Sequence, residues 1–94
     1  MNFSSDSMVK MTKNVHWKAV DGEAVLLHFA SGDYFSLDEV GTHLWRRITS
    51  GPVRFNDLIE SLTNEYTISR EQAEGDVKDF CGQLLAEKLV EMKN

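Results

Sequence analysis

Apolar and polar residues alternate with a period of two in three short runs near the start of the chain, then switch to a helical period in three longer runs. The first run, "VHWKAV" at Val15 to Val20, is followed by Asp21-Gly22, a dipeptide that tolerates positive φ and suits a two-residue hairpin turn. "EAVLLHF", Glu23 to Phe29, is the returning strand, and Ser31-Gly32 makes a second tight turn into "DYFSL", Asp33 to Leu37. Two-residue turns pair Val20 with Glu23 and Ala30 with Asp33. In that register Val15, Trp17, Ala19, Ala24, Leu26, His28, Phe35 and Leu37 share one face, which is expected to carry helices. His16, Lys18, Val20, Glu23, Val25, Leu27, Phe29, Tyr34 and Ser36 share the other.

After Leu37, Asp38 is the expected N-cap of a short helix with Val40, Leu44 and Ile48 on one side, stopped at Gly51-Pro52. Phe55, Leu58, Ile59, Leu62 and Tyr66 form the apolar stripe of a second helix. "SREQ" at Ser69 to Gln72 reads as a capping box for a third helix, which carries Ala73, Val77, Phe80, Cys81, Leu84 and Leu85 and is expected to run to about Lys88. "LVEM" at the end is either a last short strand or a frayed turn. Residues 1–13 lack periodicity and are predicted to be a disordered tail, leaving 14–94 as a single domain. Strands first and helices afterwards predict an α+β fold: a three-stranded antiparallel meander followed by three helices, winged helix-turn-helix-like.

Composition narrows the chemistry. No apolar run approaches a membrane span and the start lacks the apolar core of a secretory signal, so a cytoplasmic location is expected, with no membrane partner. Cys81 is the single cysteine. It permits neither an internal disulfide nor a Cys cluster for zinc, and mid-helix on the apolar stripe it reads as a small core hydrophobe rather than a nucleophile. His16, His28 and His43 show no ligand spacing, so no metal is expected. His16 and His43 are predicted solvated, and His28 a partly buried residue with a backbone partner. The glycines form no phosphate-cradling pattern, and no catalytic residue or cofactor is predicted. The chain carries 15 acidic and 10 basic residues, a net charge of −5. A winged-helix DNA-binding regulator would read DNA with the third helix, yet Glu71, Glu74, Asp76, Asp79 and Glu87 outnumber Arg70, Lys78 and Lys88 there, which repels phosphates. Nucleic acid is therefore not an expected partner.

The third strand is an edge of the predicted meander, and "YFSL" has no Lys, Pro or other device to protect it. An unprotected edge beside apolar helix surface meets the requirement for a peptide to add a strand. The residues leave other occupants open: the strand is simply short, or the N-terminal tail or a second copy of the chain covers it. Self-pairing would make the protein a structural subunit.

The run G-x-Y-F-x-L-D-E-x-G from Gly32 to Gly41, the Leu44-Trp45 pair and the later D-V-x-x-F from Asp76 to Phe80, ending in Leu89-Val90, are similar to the PqqD-like family. This family comprises small recognition domains of ribosomally made peptide natural products, and the resemblance covers roughly Val15 to Met92. It implies a winged helix-turn-helix-like domain that binds peptide rather than DNA and is not an enzyme. The leader of a precursor peptide is then expected to add as a strand to the third strand, at Asp33, Tyr34, Phe35, Ser36 and Leu37. It packs on the third helix at Asp76, Val77, Phe80, Cys81 and Leu84. Leu-Asp where the quinone-cofactor version has Leu-Asn makes the chain more similar to the free-standing leader-binding proteins of lasso peptide clusters, which deliver a precursor to a leader peptidase and cyclase. A chaperone for another peptide-modifying enzyme, such as a radical SAM protein, is the alternative within the family. Cys81-Gly82 departs from the bulkier apolar residues often found there, and a glycine inside a helix costs about 0.5 to 1 kcal/mol relative to alanine.

Overall fold

Residues 4–93 are described in a computed structural model; Met1 to Phe3 and Asn94 lie outside the described residues. In chain order the elements are β1 (Met8–Met11), β2 (Val15–Val20), β3 (Glu23–His28), β4 (Asp33–Ser36), α1 (Glu39–Thr49), β5 (Val53–Arg54), α2 (Phe55–Glu65), α3 (Arg70–Ala86) and β6 (Val90–Lys93). The fold is α+β, with two small antiparallel sheets ordered β2-β3-β4 and β5-β1-β6.

The meander forms as its pattern predicts, with one slip. Asp21 and Gly22 both take positive φ, 52° and 84°, as the tight turn requires, and Val20 faces Glu23. The second turn is wider than expected: His28, not Ala30, pairs with Asp33, so Phe29 to Gly32 form a four-residue loop. It is held by the Gly32 N–H donating to the His28 carbonyl at 2.8 Å and the Ser31 N–H donating to His28 Nδ1 at 3.3 Å. A slip of two residues leaves every side chain on its predicted face. Leu26 is thus opposite Phe35 on the covered side, while Leu27 is opposite Tyr34 on the open side.

The disordered tail predicted for residues 1–13 is corrected for Met8–Met11, which form the central strand of the second sheet, with Val9 fully buried. Four residues carry too short a pattern to announce a strand, and their partners lie in the middle and at the far end of the chain. The preceding residues also have a task. The carbonyls of Ser7 and Ser5 accept from the Phe55 and Asn56 N–H groups, at 2.8 and 3.1 Å, satisfying amides that the start of α2 leaves free. "LVEM" resolves as β6. The third helix ends at Ala86 rather than Lys88, because Lys88 adopts φ 60° and the Lys88 and Leu89 amides donate back to the Leu85 and Leu84 carbonyls. That is a Schellman ending with lysine where glycine is usual, so no sequence signal marked the stop. Half of the capping box forms: Ser69 Oγ accepts from the Gln72 N–H at 3.1 Å, but the Gln72 amide donates to Asp76 Oδ1 at 2.9 Å instead of closing the box.

One contiguous core draws on both sheets and all three helices. Trp45 is fully buried and meets Trp17 edge-on, the ring centroids 6.5 Å apart, while the Arg46 guanidinium lies 5.7 Å over the Trp17 ring. Where β4 ends, Thr42 of α1 takes over the ladder. The Leu37 N–H still donates to the Ala24 carbonyl at 2.9 Å, but the Ala24 N–H donates to Thr42 Oγ1 at 2.8 Å, and that hydroxyl in turn donates to the Leu37 carbonyl at 3.4 Å. No helix among the described residues is long and apolar enough to cross a membrane.

Thr42→Val keeps the shape and removes the hydroxyl, leaving the Ala24 N–H buried without its acceptor. The expected cost is about 1 to 3 kcal/mol, read as a fall in thermal midpoint of roughly 4 to 8 °C per kcal/mol for a domain of this size. Thr42→Ser is expected to retain most of the stability, and equal melts for Val and wild type would refute the bridge.

Candidate functional site

β4 is the outer strand of its sheet, and among the described residues nothing pairs with its free side. Because the Leu37 N–H points to β3, strand alternation turns Phe35 to β3 as well and leaves the N–H and C=O groups of Tyr34 and Ser36 facing outward. The described part of the N-terminal segment does not cover this edge, since β1 sits in the other sheet. Side chains alternate differently: Phe35 and Leu37 are half-buried toward the helices, whereas Tyr34 is 72% exposed on the outer face.

α3 runs beside this edge and is apolar on more than one side. Ala73, Val77 and Cys81 are fully buried against the core. Phe80, Gln83, Leu84 and Glu87 lie on the flank nearer β4, and with Ala86 and Leu89 they form one wall of a groove of about 440 Å³ whose other wall is Tyr34, Phe35, Ser36 and Leu37. Phe80 and Gln83 also line a neighbouring cavity of about 310 Å³ between α1 and α3, with Asp38, Asp76 and Asp79 among its walls. Asp38 is occupied as a cap, its Oδ1 accepting from the Gly41 N–H at 2.8 Å. The combination is an open backbone ladder next to an apolar channel with polar rims, which suits an extended peptide. Among the described residues no group of three His, Cys, Asp or Glu side chains is placed to hold a metal ion.

The model of the family described as coenzyme PQQ synthesis protein D (PqqD) matches residues 23–90, a span that holds β3, β4 and all three helices. The chain belongs to the PqqD family. Two solved structures share its fold. That of TbiB1 in complex with the TbiA(beta) leader peptide has 34% sequence identity and a TM-score of 0.83, covering 87% of this chain and 94% of that one. That of a lasso peptide synthetase B1 complexed with the leader peptide has 24% identity and a TM-score of 0.79, covering 88% and 96%. No curated protein matches the chain.

The structure brings six of the ten expected site residues of this family member into one groove: Tyr34, Phe35, Ser36, Leu37, Phe80 and Leu84. Asp76 lines the adjoining cavity. Asp33 is exposed at the start of β4, outside the groove lining, its N–H donating to Ser31 Oγ at 3.3 Å. Val77 and Cys81 are corrected: both are fully buried on the core side of α3 and present no surface to the groove. Gln83, Ala86, Glu87 and Leu89 also line the groove and were not among the expected residues. Counting on from Phe80 by three, four and seven reaches Gln83, Leu84 and Glu87, a helical face of which the expected residues included Phe80 and Leu84 but neither polar member. His43, expected to be solvated, is half-buried with its ring edge-on to Tyr66 at 5.9 Å, and its Nε2 has no hydrogen-bond partner among the described residues.

Burial pushes the Cys81 thiol from its ordinary 9.0 up to about 12. In the unfolded chain this thiol ionises near 9.0 while the fold holds it protonated to about 12, so its contribution to stability is intact below pH 9 and lost as pH climbs toward 12. A thiol-modifying dye at pH 8 is expected to label the folded protein only at the rate of opening and the urea-unfolded protein at once. Fast labelling of the folded protein would place Cys81 at the surface.

Proposed function

We propose that this chain is a non-catalytic binding module for the leader of a ribosomally made precursor peptide. The leader adds as a strand to the free edge of β4 and packs its alternate side chains into the channel along α3. The carrying observation is the outward pair Tyr34 and Ser36 set directly against the groove. Main-chain hydrogen bonds at the edge supply register, and the Phe35, Leu37, Phe80 and Leu84 surfaces select the apolar side chains that enter. TbiB1, a third identical in sequence, is solved with a leader peptide bound, which supports the same class of ligand here. The leader-bound protein then presents its precursor to a separate maturation enzyme, of which a lasso leader peptidase and cyclase is the reading the resemblance favours, in the cytoplasm and without a cofactor. Of the ten residues expected in the site, the strand residues and Phe80, Leu84 and Asp76 carry this function, and Val77 and Cys81 support it from the core.

The test is a titration of isotope-labelled protein with the TbiA(beta) leader peptide and with the leader of a precursor from the same gene cluster. The largest amide shifts are expected at Tyr34 to Leu37 and Phe80 to Glu87; largest shifts on β2 or α2 would move the site elsewhere. A second measurement uses Ser36→Pro, which removes an outward N–H at a strand edge that tolerates proline. One lost hydrogen bond and a ring in the path of the added strand predict a loss of affinity of roughly tenfold or more, with a near-native melt. Unchanged affinity in folded Ser36→Pro would exclude strand addition at β4.

A further inference from the structure

Gly41 lies in the first turn of α1, buried, three residues after the cap Asp38. No left-handed backbone explains a glycine here, since positive φ among glycines occurs at Gly22, Gly32 and Gly51. Space explains it. A Cβ built on Gly41 falls 3.2 Å from Phe80 Cε1, 3.3 Å from Leu37 Cβ and 3.2 Å from Asp38 Oδ1, tight enough that these neighbours must give by a few tenths of an ångström, whereas Gly75 and Gly82 on α3 have nothing within 4 Å. Phe80 and Leu37 both wall the groove, from opposite sides, and Phe80 also walls the second cavity. Phe80 is half-buried and walls both the groove and the cavity between α1 and α3, so a ring pushed off α1 has open space on those two sides.

We propose that Gly41 is a positioning residue for leader binding. The missing side chain lets Phe80 and Leu37 close onto the α1 backbone, which sets the depth of the groove beside β4 and keeps it continuous with the cavity between α1 and α3. This rests on the leader-binding reading. It also explains why a residue that weakens a helix sits inside α1: alanine favours the helix but spoils the channel.

The experiment measures leader affinity by fluorescence anisotropy, with labelled TbiA(beta) leader and the cluster's own leader as probes, alongside thermal melts, for wild type, Gly41→Ala, Phe80→Leu and the double variant. Gly41→Ala gains helix propensity and loses to crowding, so it is expected to melt near the wild-type temperature yet bind roughly fivefold or more weakly, as a displaced side chain intrudes on the groove. In the Phe80→Leu background, where the ring edge is gone, Gly41→Ala is expected to cost little further affinity, a coupling that a purely structural role would not produce. Wild-type affinity in Gly41→Ala, an equal loss in both backgrounds, or a loss that tracks unfolding would each overturn the proposal while leaving leader binding in place. Failure of the wild type to bind either leader would instead overturn the binding reading, and this proposal with it.

Discussion

The hydroxyl of Thr42 is the point on which the arrangement turns. By accepting from Ala24 and donating to the Leu37 carbonyl, it substitutes for the next rung of the β3–β4 ladder and so ends β4 by attaching a helix to it. Here the Asp38 cap, the close approach at Gly41 and the Thr42 bridge all fall within the first turn of α1, which fixes the helix start relative to the sheet. The bridge uses up only the inner side of the strand end. The outer N–H and C=O groups of Tyr34 and Ser36 are untouched by it and remain available.

α3 divides its surface between two tasks, and the division explains its composition. Ala73, Val77 and Cys81 are small or medium residues because they pack against a core already filled by Trp45, Leu44 and Leu58. Phe80 is half-buried and bounds the groove, while Leu84, buried in the core, also reaches its lining. Gln83 and Glu87 interleave with them on the groove side, so that surface can stay wet when empty without collapsing onto β4. The acids along the remaining face repel polyanions and keep the exposed apolar channel from serving as a general sticky patch.

Much of this was legible before any coordinates. The meander announced itself through period-two alternation and Asp21-Gly22, and the faces survived the wider loop at Phe29 to Gly32 because a two-residue slip preserves alternation. All three helices were found from their stripes, with Asp38 and Ser69 as working caps. Of the second sheet only β6 was foreshadowed, as one of two readings of "LVEM". β1, β5 and β6 are each four residues or fewer, and they are strands only because they pair with one another across the length of the chain. The groove was half legible: the strand side follows from an unprotected edge, but the helix side required knowing which of two apolar flanks of α3 turns inward.

The sequence by itself determined the elements within reach of local rules: turns needing positive φ, caps three residues from the amides they serve, and periods that match a pleat or a helix. It also determined the balance of charge, 15 acids against 10 bases. Only the tertiary structure decided that Val77 and Cys81 face the core while Phe80 and Gln83 face the groove, because a helix rotation of a few tens of degrees changes no period in the chain. It decided as well why position 41 is a glycine. Local conformation does not demand one there, and the reason becomes visible only when the ring of Phe80, from another helix, is placed against that backbone.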